Sequence, residues 1–94
     1  MTSEPARRLR VHGRVQGVFF RNWTRDHARE LGLKGWVRNR EDGTVEIYAT
    51  GAQGGLDRLI ELVRSGPPAA QVDRLEIEEA ESEELEGFEK RPTV

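Results

Sequence analysis

The residues best suited to chemistry lie between Gly13 and Arg21, in the segment GRVQGVFFR. Its two glycines, four positions apart, permit a turn in which several backbone N–H groups point into one concavity, and such a concavity suits phosphate or carboxylate. Arg21 follows the turn, and its planar guanidinium group can hold two oxygens of an oxyanion at once. The segment matches neither of the nucleotide-phosphate motifs G-x-x-x-x-G-K-S/T and G-x-G-x-x-G. Residue types alone therefore leave two interpretations open: an anion site, or a glycine turn followed by a solvated arginine.

A second polar candidate, Asn39, comes at the end of a predicted strand, just before the hairpin signal Glu41-Asp42-Gly43. Asparagine is poor in strands and common beside turns, so turn chemistry alone would explain it. If this strand end approaches the glycine turn, however, the amide oxygen of Asn39 could orient a water beside a bound phosphate. The residue types leave both interpretations open.

Hydrophobic periodicity predicts the elements that must position these residues. Apolar side chains at intervals of three and four indicate two helices, with Phe20, Thr24, Ala28 and Leu31 in the first and Leu56, Leu59, Ile60 and Val63 in the second. Alternation of apolar with polar side chains indicates strands, with Leu9, Val11 and Val15 in the first, Val45, Ile47 and Ala49 in the third, and Leu75 and Ile77 facing inward in the fourth. We expect residues 82–87 (SEELEG) to form a solvated connection, followed by a short last strand anchored by Phe88.

The predicted order β-α-β-β-α-β, with a short terminal strand, is typical of a ferredoxin-like α+β fold. This is a split βαβ sandwich with both helices on one face of an antiparallel-rich sheet. Right-handed crossovers would place the first and third strands in the centre, while the position of the terminal strand stays open. We expect one domain over residues 1–94.

The first strand is rich in arginine, which raises the alternative of a nucleic-acid-binding sheet. In the expected topology Arg8, Arg10 and Arg14 would face Glu46, Glu76 and Glu78, a charge-balanced open face rather than a basic patch. That face would offer mainly Tyr48 among charges, and the aromatic motif of RNA-binding ferredoxin-like domains is absent. We therefore predict no nucleic-acid partner.

The composition of the chain excludes further classes of protein and partner. The chain has 15 basic and 17 acidic residues, a net charge of −2, so bulk electrostatics favour neither nucleic acid nor an anionic membrane. It has no cysteine, which excludes disulfides and thiolate chemistry. No apolar run approaches the roughly 20 residues of a membrane span, and the N-terminal sequence lacks the apolar core of a signal peptide. We expect a cytoplasmic monomer that needs no metal or other cofactor.

The two candidate segments together resemble the acylphosphatase family. GRVQGVFFR corresponds to that family's G-x-V-Q-G-V-x-F/Y-R signature, and GWVRNREDGTVEIYATG to its G-F/Y/W-V-x-N-x-x-x-G-x-V pattern. Both occur in the family's order and at its separation, and the resemblance spans nearly the whole chain.

The resemblance implies a ferredoxin-like enzyme that hydrolyses the carboxyl–phosphate anhydride of small acyl phosphates. It implies that Arg21 binds the phosphoryl group together with backbone amides, and that Asn39 positions the attacking water. The residues that would supply those amides are Gln16, Gly17, Val18, Phe19 and Phe20. A domain that binds an anion without turning it over, or that serves as part of a regulator, remains the alternative.

Overall fold

The computed structural model describes residues 4–94, and its elements follow the predicted order. They are β1 Ala6–Arg14, α1 Phe20–Glu30, β2 Lys34–Asn39, β3 Val45–Thr50, α2 Gln53–Ser65, β4 Gln71–Ala80 and β5 Phe88–Arg91. Residues 1–3 lie outside the described residues, and the signal-peptide argument and the 1–94 domain prediction include them. No helix within residues 4–94 is long and apolar enough to cross a membrane.

One five-stranded sheet has the strand order β4-β1-β3-β2-β5. β1 is antiparallel to both β3 and β4, and β2 is antiparallel to β3, whereas β5 runs parallel to β2 at the edge. The prediction that the first and third strands lie inside an antiparallel-rich sheet is confirmed. The ferredoxin-like α+β fold is confirmed with it, and β5 occupies the place that the sequence left open.

The core lies between the sheet and the two helices. Apolar residues from one face of β1, β2 and β3 form a single buried cluster with those of α1 and α2. The fully buried members with the largest side chains include Phe20, Phe88, Leu9, Ile47, Leu56 and Leu59. The helical and alternating patterns of the sequence therefore point to the core side of each element, as predicted.

The fourth strand has one inward-facing apolar residue that is not buried. Ile77 pairs with the buried Leu9 and so stands on the helix side of the sheet, but its side chain is 39% exposed. β4 is an edge strand, so its outer side has no neighbouring strand to shield it. Ile77 therefore faces inward as predicted but remains partly exposed, whereas Leu75 packs against the core.

The second face of the sheet is partly covered, contrary to two expectations. Tyr48 is completely buried and stacks on Trp36, and Leu85 packs against this pair. The Tyr48 hydroxyl donates a hydrogen bond to the Glu81 carbonyl at 2.6 Å and accepts one from the Glu83 N–H at 2.9 Å. Burial raises the pKa of Tyr48. Residues 82–87 are therefore not only a solvated connection, and Tyr48 is not available for stacking on a base.

The arginines of β1 meet acidic partners in the predicted way at two of three positions. Arg8 pairs with Glu78, and Arg10 pairs with Glu76 on one side and Glu46 on the other. Arg14 is the exception: the β1–β4 register shifts between His12 and Gly13, which places Arg14 opposite Gln71 instead of a glutamate.

Candidate active site

The loop of residues 15–19 connects β1 to α1 and has an unusual backbone. Gly17 (φ 72°) and Phe19 (φ 59°) both adopt left-handed conformations. Glycine does so freely, but a phenylalanine there is strained by about 1–3 kcal/mol, a cost that recurs at functional sites. The Phe19 side chain is 81% exposed, so packing does not offset this strain.

The N–H groups of this loop are left free. No side chain caps the N-terminus of α1, and within residues 4–94 the N–H groups of residues 16–20 donate no backbone hydrogen bond outside regular elements. Free amides at the start of a helix carry partial positive charge. The segment therefore has the donors that an oxyanion needs.

A side chain fastens this loop to the hairpin between β2 and β3. The Gln16 amide nitrogen donates to the carbonyl oxygens of Arg40 and Thr44, both at 2.8 Å. The hairpin is also held from the other end of the chain, since the Val94 N–H donates to the Asn39 carbonyl at 3.2 Å. These bonds fix the end of β2, and with it Asn39, beside the loop.

The loop, the start of α1 and the end of β2 enclose one concavity of about 340 Å³. Its lining residues are Val15, Gly17, Phe19, Phe20, Arg21, Asn22, Asn39 and Lys90. The structure thus brings Arg21 and Asn39 together with three of the five predicted amide-bearing residues. The other two do not line it, because Gln16 turns its side chain to the hairpin and Val18 packs against the core.

Arg21 carries a charge that no acidic side chain neutralises. Its Nη1 donates only a long hydrogen bond, 3.5 Å, to the Arg91 carbonyl, and among residues 4–94 it forms no salt bridge. Eight residues on, Arg29 donates to the Phe88 carbonyl at 3.0 Å. Side chains near both ends of α1 therefore contact the edge strand β5. Because the bond from Arg21 is long, its guanidinium group remains available to bind an anion.

Two polar lining residues were not predicted as site residues from the sequence. Asn22 follows Arg21 on α1, and its Oδ1 is buried without a hydrogen-bond partner. Lys90 comes from β5, whose parallel pairing with β2 the sequence did not reveal. The available signal was the spacing from Phe88: two residues along a strand return to the same face.

A larger concavity of about 490 Å³ lies at the other end of β2 and β3. It is lined by Lys34 and Thr50 but also by Glu83, Glu84 and Glu86. An acidic lining disfavours a phosphate, so this cavity does not compete as the anion site. Within residues 4–94 no group of three or more potential metal ligands is present.

Comparison with known proteins identifies the family and supports the fold. The family model described as Acylphosphatase matches residues 7–90. An acylphosphatase of Acidovorax sp. (strain JS42) is 52% identical over 88 residues, which are 94% of this chain and 91% of that protein. The structure of an acylphosphatase from Coxiella burnetii has a TM-score of 0.91 at 40% identity, covering 95% of this chain and 94% of the other. The acylphosphatase structure from Bacillus subtilis gives 0.89 at 39% identity, with coverages of 93% and 98%.

The fold and these similarities define a small ferredoxin-like hydrolase. Within that class, the chain belongs to the acylphosphatase family. The resemblance inferred from the two sequence motifs is thereby confirmed, and so is the prediction that the protein is an enzyme.

Proposed function

We propose that this enzyme hydrolyses acyl phosphates to a carboxylate and inorganic phosphate, with Arg21 and Asn39 in separate roles. The observation that carries the proposal is the single concavity that both side chains line, next to a loop with free amides. Family membership supports the reaction, and the geometry supports the division of roles.

The phosphoryl group binds on the loop. Amides of residues 16–20 and the Arg21 guanidinium donate hydrogen bonds to its three non-bridging oxygens. Such donors stabilise the charge on these oxygens most when they are already in place, because no reorganisation is needed during the reaction. The left-handed backbone conformations of Gly17 and Phe19 support this arrangement, because such conformations allow successive amides to face one anion.

Asn39 orients the attacking water. Its backbone is engaged by strand pairing and by Val94, while its side-chain amide makes no hydrogen bond within residues 4–94. The amide oxygen accepts a hydrogen bond from the water and holds it near phosphorus. An amide does not take up a proton near neutral pH, so the water's proton passes to a phosphate oxygen of the substrate.

The chemistry is feasible with so few groups because a carboxylate leaves readily. The P–O bond to the acyl group breaks as the water oxygen bonds to phosphorus, and the bond's electron pair departs on the carboxylate. No strong general acid is required. Phosphoryl transfer is largely dissociative, so positioning and charge stabilisation contribute more than a strong nucleophile does.

The direct experiment is an assay of the purified protein with acetyl phosphate and benzoyl phosphate. We expect hydrolysis far above the spontaneous rate, and little with p-nitrophenyl phosphate, whose phenolate is a poorer leaving group than a carboxylate. Phosphate binding without turnover of either acyl phosphate would instead support the alternative of a non-catalytic anion-binding domain.

A further inference from the structure

Lys90 lines the candidate active site but has no role in the mechanism above. It pairs with Val37 across the parallel β2–β5 contact, and Asn39 lies two residues further along β2. Phe88, two residues before Lys90, is buried in the core on the helix side of the sheet. The Lys90 side chain therefore rises on the helix side, from a different wall of the concavity than the phosphate loop.

The ammonium group of Lys90 has no acidic partner in the part of the chain that the structure describes. Within residues 4–94 it forms no salt bridge, although the chain has more acidic than basic residues. Its neighbour Arg91 points to the opposite face, where the guanidinium lies 5.1 Å from the centre of the Trp36 ring. Arg91 is thus used in packing, while the exposed Lys90 is one of the residues that line the concavity.

The phosphoryl group does not need this second cation. Its three non-bridging oxygens already have Arg21 and several loop amides as donors. In the proposed binding mode the acyl part of the substrate extends away from the loop amides, toward the remaining lining residues, which include Lys90 and the exposed Phe19. A flexible lysine stem can follow a carboxylate at the end of an acyl chain, and the Phe19 ring offers an apolar surface for the hydrocarbon between.

Resting on the proposed function, we infer that Lys90 determines specificity by binding a second anionic group, located in the acyl part of the substrate. The preferred substrates are then acyl phosphates whose acyl chain ends in a carboxylate. Those with a neutral acyl group, such as acetyl phosphate, are hydrolysed without using Lys90.

The test compares succinyl phosphate with acetyl phosphate in the wild type, Lys90→Met and Lys90→Arg. We expect Lys90→Met to lower kcat/KM for succinyl phosphate about three- to tenfold, mainly through KM, and to change acetyl phosphate hydrolysis by less than about twofold. Lys90→Arg keeps the positive charge and should retain most of the preference. The matched control is Lys34→Met, which removes the same charge at the far end of β2 and should leave both substrates unaffected.

Two kinetic outcomes overturn the inference. An equal loss for both substrates, with weaker inhibition by inorganic phosphate, would assign Lys90 to the phosphoryl group. No loss for either substrate would make Lys90 a solvated surface charge.

A binding experiment separates this inference from the proposed function. Isothermal titration calorimetry compares the binding of 5-phosphonopentanoate and butylphosphonate. The first has a terminal carboxylate, spaced from phosphorus as in succinyl phosphate, and the second lacks it. The wild type should bind the carboxylate form more tightly, and Lys90→Met should lose that preference even if the protein hydrolysed no acyl phosphate. Equal affinity of the wild type for both phosphonates would contradict the role of Lys90.

Discussion

Arg21 and Asn39 meet in one concavity although they lie on different elements, one at the start of α1 and the other at the end of β2. Their environments differ in a way that suits the two proposed tasks. Within residues 4–94, Arg21 forms no salt bridge with a carboxylate, and the side-chain amide of Asn39, which is neutral, makes no hydrogen bond. The positive charge of Arg21 suits binding of the phosphoryl group, and the neutral amide of Asn39 suits holding a water without repelling the anionic substrate.

Replacing Arg21 by alanine should weaken phosphate binding and activity together. Loss of one donor to a developing oxyanion costs about a hundredfold to a thousandfold in rate, so we expect kcat/KM for acetyl phosphate to fall by about that factor. Steady-state kinetics with inorganic phosphate as inhibitor measure both effects. Arg25→Ala is the matched control, because Arg25 is one turn further along α1 and pairs only with its neighbour Asp26. Normal phosphate inhibition in Arg21→Ala would contradict the binding role.

Replacing Asn39 by alanine should separate turnover from binding. We expect kcat to fall about a hundredfold, because a misplaced nucleophile costs about that much, while the inhibition constant of inorganic phosphate changes little. Steady-state kinetics with inorganic phosphate as inhibitor measure both kcat and the inhibition constant. Near-normal kcat in Asn39→Ala would exclude the water-positioning role.

Which site residues the sequence reveals depends on how local their signals are. Arg21 and the loop glycines lie within nine consecutive residues, and Asn39 lies in a second compact motif. Lys90 belongs to no motif, and its place beside Asn39 arises only from the parallel pairing of β2 with β5. The sequence does not specify that pairing, so Lys90 was missed.

At the scale of elements, Gln16 holds the two halves of the site in register. Its amide nitrogen donates hydrogen bonds to two carbonyl oxygens of the β2–β3 hairpin and so connects the loop to the hairpin. The spacing between the phosphate loop and Asn39 therefore depends on a side chain that does not itself line the concavity.

Gln16→Ala should weaken both stability and catalysis. Two hydrogen bonds at about 0.5–1.5 kcal/mol each predict a free energy of unfolding lower by about 1–3 kcal/mol, measured by urea denaturation. Turnover should fall as well, because the hairpin no longer keeps Asn39 at the loop. Gln53→Ala is the control, since Gln53 is exposed on α2, donates to Asp57 of its own helix and accepts a long hydrogen bond, 3.5 Å, from Arg7. Unchanged stability and turnover in Gln16→Ala would show that the bridge is dispensable.

Element type and order were predicted because hydrophobic periodicity is a local property. Coverage of the second sheet face was not predicted, because residues 82–87 have a polar, acidic sequence with a single leucine. What places them there is the pair of hydrogen bonds around the Tyr48 hydroxyl and the packing of Leu85. The exposure of Ile77 could not be predicted either, because the position of β4 at the edge is a property of the assembled sheet and not of the local sequence.

At the scale of the whole molecule, a charge cluster on the sheet contributes to stability. Glu46 is only 6% exposed, accepts hydrogen bonds from Arg38 at 2.8 Å and Arg40 at 2.9 Å, and lies 3.7 Å from Arg8. Burial alone would raise the pKa of Glu46, but the arginine hydrogen bonds and charges outweigh it and lower the pKa. The folded state therefore holds this carboxylate ionised more firmly than the unfolded chain does.

The stabilisation by Glu46 should depend on pH. Because the folded pKa is below the ordinary value of 4.5, the contribution is fully present above that value and is lost as pH falls through the folded pKa. We expect Glu46→Gln to lower the free energy of unfolding by about 1–3 kcal/mol at pH 7, with the difference from wild type shrinking below pH 4.5. Urea denaturation across this pH range measures it, with the exposed Glu61→Gln as control. A difference independent of pH would point to packing rather than charge.

The monomeric state, the cytoplasmic location and the single-domain extent remain predictions from composition and length. Sedimentation of the purified protein addresses the first of them. None of the roles proposed for Arg21, Asn39 or Lys90 requires a second copy of the chain, since all three line one concavity of one chain.

The central claim, that a water held in this concavity attacks phosphorus, is tested most directly with isotopically labelled water. Acetyl phosphate is hydrolysed by the wild-type enzyme in water enriched in oxygen-18, and the products are analysed by mass spectrometry. Attack at phosphorus places one labelled oxygen in inorganic phosphate and none in acetate. Label in acetate would mean attack at the carbonyl carbon and would contradict the roles assigned to Asn39 and to the phosphate loop.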